Sequence, residues 1–272
     1  MTANRLIIFL MLMLTFGSAG ATHIRPWLGV ELQPLLDSRL AVQKFDRVRI
    51  QSEALPCGSR DFFFDLGAYF AYAPYSLELE TGFAGTSRHH FNWEDFHLTG
   101  RYQLMDDITG ADIVSLVAGF TVSRTNRRYV EDISTFHHAR WEYLFHASVG
   151  KEFPQGPIWV SRAWAFGGFG SGDEGSVWLF SHLEYEKNCR DRFWWGAFLK
   201  GLFGLGDKPL ALNNFTGYGP VEHRSIDIGA HLDISLWEYG YITAQYSYRI
   251  WAYNFPDCAH LATLRYEYPF GL

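Results

Sequence analysis

The sequence predicts an all-β chain: an antiparallel transmembrane β-barrel of about twelve strands behind a cleaved leader. Three observations predict it. Apolar and polar residues alternate with period two in run after run. The runs are about 10 to 14 residues long, whereas strands of soluble domains cluster near about 5 or 6 and a tilted bilayer-crossing strand needs about 9 to 11. The connections between runs alternate short and long, as those of membrane barrels do.

Residues 1–21 form a separate unit. Arg5 supplies a positive start, Leu6 to Phe16 an apolar core of 11 residues, and Ala19, Gly20 and Ala21 a small-residue cleavage site. That is the pattern of a secretory signal peptide cut after Ala21; its apolar core falls short of the roughly 20 residues a spanning helix needs. Residues 22–272 are then a single barrel domain. No later window is long and apolar enough for a helix, and an exported chain crossing a bilayer without helices must close its strands into a barrel.

The 272-residue chain carries a formal charge of −6, which argues against a nucleic-acid partner. Aromatics make up 18%, a high share that suits rings seated at a membrane interface. The mean hydropathy of −0.10 is uninformative, because alternating strands average to near zero.

In chain order, the first run is 27–33, with Leu28, Val30 and Leu32 on one face. Runs 61–73, 75–85 and 92–104 follow, the last with Phe96, Leu98, Tyr102 and Leu104 opposite His97, Thr99, Arg101 and Gln103. Next come 112–124, then 138–151, where Trp141, Tyr143, Phe145 and Val149 oppose Arg140, Glu142, His146 and Ser148. Run 158–169 is ambiguous in face because Arg162 shares a side with Val160, Trp164 and Phe166. Runs 176–186, 192–205, 225–236, 241–252 and 260–270 complete the set. In 225–236, Ile226, Ile228, Ala230, Leu232, Ile234 and Leu236 oppose Asp227, Gly229, His231 and Asp233. Residues 38–50 leave room for one extra short strand, so the count of twelve carries a margin of about two.

One side of the barrel receives the short connections at Pro74 and around residues 105–111, 152–157, 187–191 and 237–240. The other receives 34–60, 125–137 and 206–224. The first of these, 27 residues long, is expected to cap or enter the lumen.

At the chain end, Leu264, Tyr266, Tyr268 and Phe270 continue an alternating aromatic stripe. This resembles the C-terminal assembly signal of Gram-negative outer-membrane β-barrel proteins, although Gly271 and Leu272 follow the aromatic residue on which that signal normally ends. The resemblance covers about ten residues and names a broad class. It implies location in the cell outer membrane, with the lipid bilayer and the outer-membrane assembly machinery as partners, and both termini in the periplasm.

If the apolar face meets lipid, the polar face lines a lumen. That places Glu78, Glu80, Glu142, Glu184, Glu186, Asp227, Asp233 and Glu267 inside, with His231, against Arg101, Arg140, Lys200, Arg249 and Arg265. Glu31, Asp65, Asp95 and Arg192 fall on the same face, so the wall leans acidic and favours cations if open. A plug of buried ion pairs is the equally simple alternative, and the inward rings Trp27, Phe63, Tyr69, Trp178, Trp194 and Phe198 argue for an obstructed path.

No cofactor or metal is expected. Asp227 and His231 lie about 13 Å apart along a strand, too far to share an ion, and carboxylate pairs such as Glu184 with Glu186 arise from alternation alone. His89, His90, His137, His138, His223 and His260 fall at long loops or their junctions, where solvated histidines are ordinary and metal capture is the sharper reading. No G-x-S-x-G is present, and Ser181 and His182 would point to opposite faces, so an enzyme is not expected. Cys57 and Cys258 fall on loops that barrel closure makes neighbours, predicting a disulfide and leaving Cys189 odd. The function these features suggest is a passive, porin-like channel for small polar solutes. A surface adhesin or structural barrel, and less favourably a lipid-modifying enzyme, are the alternatives.

Overall fold

The computed structural model describes residues 24–110, 112–156 and 158–270; the signal-peptide expectation for residues 1–21 lies outside them. Strands β1 (Leu35–Ile50), β2 (Glu53–Tyr72), β3 (Tyr75–Gly85), β4 (Asn92–Met105), β5 (Ser115–Thr125) and β6 (Trp141–Gln155) form the first half. The second half is β7 (Ile158–Gly172), β8 (Trp178–Cys189), β9 (Phe193–Leu205), β10 (Glu222–Ser235), β11 (Tyr241–Tyr253), a short β12 (Phe255–Asp257) and β13 (His260–Pro269). Both β12 and β13 pair with β1, so they are one strand interrupted at Cys258 and Ala259. The wall therefore has twelve strands, all antiparallel. Closure comes from β13 on β1, in register from Leu35 opposite Pro269 to Lys44 opposite His260, while β1 also pairs β2. A closed wall leaves no edge of unpaired amides, which hydrocarbon would penalise.

Alternation decides which side meets oil. Leu66, Leu77, Leu79, Leu98, Phe145, Leu183, Leu199, Ile228 and Leu232 are exposed on the outer face, while Asp65, Glu78, Glu80, Arg101, Glu142, Glu186, His231 and Asp233 are buried within. Aromatic rings gather on the outside at the turn end, where Tyr75 lies against Tyr102 and Tyr185 against Trp195, the arrangement of an interfacial girdle. Tyr266 stands among them, with Leu264 and Phe270 exposed on the same outer stripe.

The expected twelve strands are present, but one is exchanged for another. Residues 27–33 form no strand, and residues 34–60 are not a loop: they are most of the β1–β2 hairpin, turned at Gln51 and Ser52, with Gln51 at φ +54°. At about 3.3 Å per residue, the 20 residues of β2 outreach a hydrocarbon core of about 30 Å, so this hairpin stands beyond the long-loop rim. Arg140 precedes β6, and its side chain is exposed at that rim instead of lining the lumen, because the chain turns before the strand begins. Arg192 lies exposed in the β8–β9 turn, and Glu31 is exposed before β1. The three cysteines are free. Strand β1 separates Cys57 from Cys258, since Arg47 faces Pro56 on one side and Asp257 on the other. Two strand spacings of about 4.8 Å exceed the roughly 7 Å limit between the Cα atoms of a disulfide.

Candidate functional site

Two segments enter the lumen, a strap from one end and a cap from the other. The strap is the segment before β1, which runs from the short-turn rim into the barrel and brings Ile24 to the edge of the central cavity. Pro26 is buried beside Gly150 and Trp164, and the other anchors are polar. Arg25 donates to Glu186 at 2.6 Å, and the Arg25 carbonyl accepts from Arg101 at 2.9 Å. The Trp27 indole N–H donates to Asp107 at 3.0 Å, and the Gly29 amide donates to the Tyr69 hydroxyl at 2.9 Å. Arg162 packs over the Trp27 ring while pairing with Glu186. Trp27 is thus inside the barrel, carried there by the strap.

The cap is built from the connections 126–140 and 206–221 folding inward. Phe45, Val48, Ile133, Leu210, Phe215, Tyr218, Val221, Ala252, Phe255 and Ala259 form one buried cluster. Tyr218 donates to the Ile133 carbonyl at 2.9 Å, and Gln43 reaches from β1 to the Ser134 carbonyl at 2.6 Å. His137 is largely buried and His138 buried because the 126–140 connection turns over the lumen, and His223 is buried on the inner face of β10 beneath the cap, contrary to solvated loop positions. His138 stacks on Trp178 with centroids 3.8 Å apart, and its Nε2 lies 3.2 Å from that of His223. Burial, with His223 and His137 beside it, holds the His138 imidazole well below its ordinary range.

Between strap and cap lies a cavity of about 300 Å³. Rings such as Phe136, Phe166, Trp178 and Phe255 line it together with Asp227, Arg249 and Lys200, and the inner barrel wall around and beyond it carries a set of ion pairs. Arg249 is bidentate on Asp227 at 2.7 and 3.0 Å, Arg265 reaches Asp37 at 2.9 Å and Glu267 at 3.1 Å, and Arg39 holds Asp65 at 2.7 Å with Glu80 at 3.6 Å. His231 bridges Glu184 at 2.8 Å and Asp233 at 2.5 Å, and His182 adds a bond to Glu184 at 2.5 Å. Glu184, Glu186, His231 and Asp233 therefore meet in one network with Arg25. Lys200 and Asp227 line the cavity, Arg101 is tied to Ser76 and the strap, and Glu78, Glu80 and Glu142 are buried inside. Among the described residues, twelve carboxylates are buried against three guanidiniums.

Several of these residues are out of reach of strand alternation. Asp37, Arg39 and Gln43 sit on β1 within a span read as loop, and Arg25 lies ahead of every strand. A further feature is the seating of imidazoles over glycine: His231 faces Gly196, His146 faces Gly119 and His223 faces Gly204 across neighbouring strands. A Cβ on Gly196 would collide with His231 Nε2. Ser181 is exposed and His182 buried, on opposite faces of β8.

No protein-family model matches the chain, nor does any curated protein sequence. Solved structures do. The COG4313 outer membrane channel from Pseudomonas putida F1 aligns over 93% of this chain and 100% of its own, with TM-score 0.70 at 13% identity. The KdgM porin in complex with disordered oligogalacturonate aligns over 87% and 99% with TM-score 0.55 at 9% identity, and the NanC porin over 87% and 100% with TM-score 0.54 at 9% identity. The chain shares the fold of these outer-membrane β-barrels.

Proposed function

We propose that the chain is an outer-membrane channel for small polar solutes, with the strap and cap holding this conformation closed. The observation that carries the reading is the polar, ion-paired wall running from the short-turn rim to the cavity, with a hydrogen-bonded strap of the chain's own residues lying in its path. A structural plug has no need of so acidic a surface, whereas an acid-leaning lumen raises the local concentration of cations and of solutes with cationic groups. The three similar structures named above are called channel or porin, which supports the reading. The outer aromatic stripe of Leu264, Tyr266, Tyr268 and Phe270 supports delivery by the outer-membrane assembly machinery, with the short turns and both termini in the periplasm. The cleaved leader supplies export, and the strap then lies a few residues from the new terminus.

Single-channel recording on the refolded barrel tests this. The full mature chain is expected to give brief, small openings, and a variant lacking residues 22–30 a conductance several times larger with cation preference. If both are electrically silent while migrating as folded barrels on unboiled gels, conduction is wrong. A sealed barrel presenting the β1–β2 hairpin and the cap to the outside is then the function, a reading the apolar packing of the cap favours.

A further inference from the structure

Two groups of lumen side chains bring three metal-capable atoms within 4.8 Å of one another. In the first, Glu184, Glu186 and His231, the guanidiniums of Arg25 and Arg162 already hold Glu186, so the protein supplies its own positive charge. The second, Glu94, Asp95 and His137, sits where β4 meets the cap and is built differently. We propose that Glu94, Asp95 and His137 form a binding site for a divalent transition-metal ion of the zinc type, with the remaining coordination position turned to the cavity.

The backbone makes the site. Consecutive strand residues point to opposite faces, so plain alternation would send Glu94 into the lipid. The register between β3 and β4 shifts instead: Gly82 faces Asp95 and Phe83 faces Trp93, which leaves Glu94 as the extra residue of a bulge. Bulges re-aim side chains in this way, and here both acids turn inside, 4% and 7% exposed. A buried carboxylate on the wrong face of its strand costs stability unless something inside rewards it.

The donors converge. His137 Nε2 lies 2.9 Å from a Glu94 carboxylate oxygen and 3.8 Å from one of Asp95, and His97 Nε2 lies 2.9 Å from that same Asp95 oxygen. Ligands on zinc at about 2.0–2.1 Å sit roughly 3.3 Å from one another in a tetrahedron, a spacing that His137 reaches to both acids by shifts of about half an ångström, while His97 holds the Asp95 carboxylate from outside the donor set. The Thr125 hydroxyl lies 3.3 Å from His137 Nδ1. With that nitrogen carrying the proton, the Nε2 lone pair is turned to the carboxylates, the outer-sphere arrangement metal-binding imidazoles use. The charge also fits. A Cβ at Gly82 would lie 2.9 Å from an Asp65 oxygen and collide with Asp95, so those two acids approach each other, and Arg39 is divided between Asp65 and Glu80. A divalent ion adds positive charge where one guanidinium serves several carboxylates. Asp95, His97 and His137 line the central cavity, so the site opens onto the lumen. Bound there, it would staple the 126–140 connection to the barrel wall.

The test does not depend on conduction. Refolded full-length mature barrel is titrated with zinc chloride by calorimetry and with cobalt(II) by visible absorption. One ion per barrel is expected, with cobalt bands of the intensity that four or five ligands give. His137→Ala and Glu94→Gln should each weaken binding at least tenfold in barrels that keep their heat-dependent gel mobility. Thr125→Val, which leaves every donor in place, should weaken it about tenfold and serves if a ligand variant does not fold. Absence of saturable binding below about 1 mM overturns the site, as does binding that survives His137→Ala and Glu94→Gln but is lost with Glu184→Gln.

Discussion

The two closures of this barrel use opposite chemistries. The cap joins ten buried apolar residues from five parts of the chain, whereas the strap, among the described residues 24–33, is held by an ion pair, four hydrogen bonds and one ring under a guanidinium. Apolar packing has no substitute in water, so opening the cap costs the full burial. A hydrogen bond exchanges for one to water at a net cost of about 0.5–1.5 kcal/mol, so the strap can leave in steps. The lumen thus has a fixed end and a releasable end, and the largest effects should come from disturbing the fixed one. Phe255, 1% exposed, packs at a tilt against Tyr218 at 4.6 Å and Phe136 at 4.8 Å and carries Arg249 over its ring. Phe255→Ala should cost about 3–5 kcal/mol of cap stability. Hydrogen exchange should then accelerate across 126–140 and 206–221 while residues 24–33 keep their protection; acceleration confined to the strap would reverse the assignment.

Next in size is Arg25→Ala. Arg25 is partly exposed but its partner Glu186 is fully buried, and breaking a buried pair costs about 3–5 kcal/mol when a charge is stranded. Here Glu186 keeps Arg162, so about 1–3 kcal/mol is expected. Strap exchange should rise, cap exchange should not, and the effect should fade toward 1 M salt, where screening acts within about 3 Å. An equal response of both ends would end the distinction.

Acid should act the other way, on the cap. His138 is held neutral by burial beside His223 and His137, its imidazole well below the ordinary range, with Glu142 3.8 Å away as the facing acid. The unfolded cap then binds a proton that the folded cap does not. Stability from this group is whole above about pH 6.5 and falls as pH drops below it, by up to about 1.4 kcal/mol per unit. Protection of 126–140 measured between pH 7.5 and 5 should fall, and His138→Phe, which keeps the stack on Trp178, should flatten the dependence.

The wall was legible because lipid outside and water or ion pairs inside impose a period of two on nearly every strand. The exception, β1, hides because Ser38 and Lys44 interrupt its outer face between Leu36, Leu40 and Val42, while Leu28, Val30 and Leu32 imitate a strand in the strap. Arg140 misleads and Glu94 goes unnoticed for one reason: alternation holds only while a strand is regular, and a turn before β6 or a bulge in β4 resets it. The bulge is a property of the β3–β4 pair, absent from either strand alone. The cap was illegible because its loops have no period, although apolar residues such as Ile133, Phe136, Leu210, Phe215 and Tyr218 in supposedly exposed connections are the signal that marks it. Imidazoles seated over Gly119, Gly196 and Gly204 depend on cross-strand register, which a single chain does not display.

The smallest effect should come from the strap's outermost anchor. Asp107 accepts from Trp27 at 3.0 Å, but also from Ser115 at 2.6 Å and the Glu152 amide at 2.8 Å, with Lys151 at 3.6 Å. Removing one donor from so well supplied a carboxylate strands nothing, so the loss is a single net hydrogen bond. Trp27→Phe keeps an aromatic face beneath Arg162 and deletes only that bond, which should cost about 1 kcal/mol. The opening frequency of the channel should rise about fivefold. Trp27→Ala, which also removes the ring under Arg162, should raise it further. If Trp27→Phe equals Trp27→Ala, the hydrogen bond is the anchor and the ring is passive; if it equals the parent, the strap is held by Arg25 and the guanidinium stack alone.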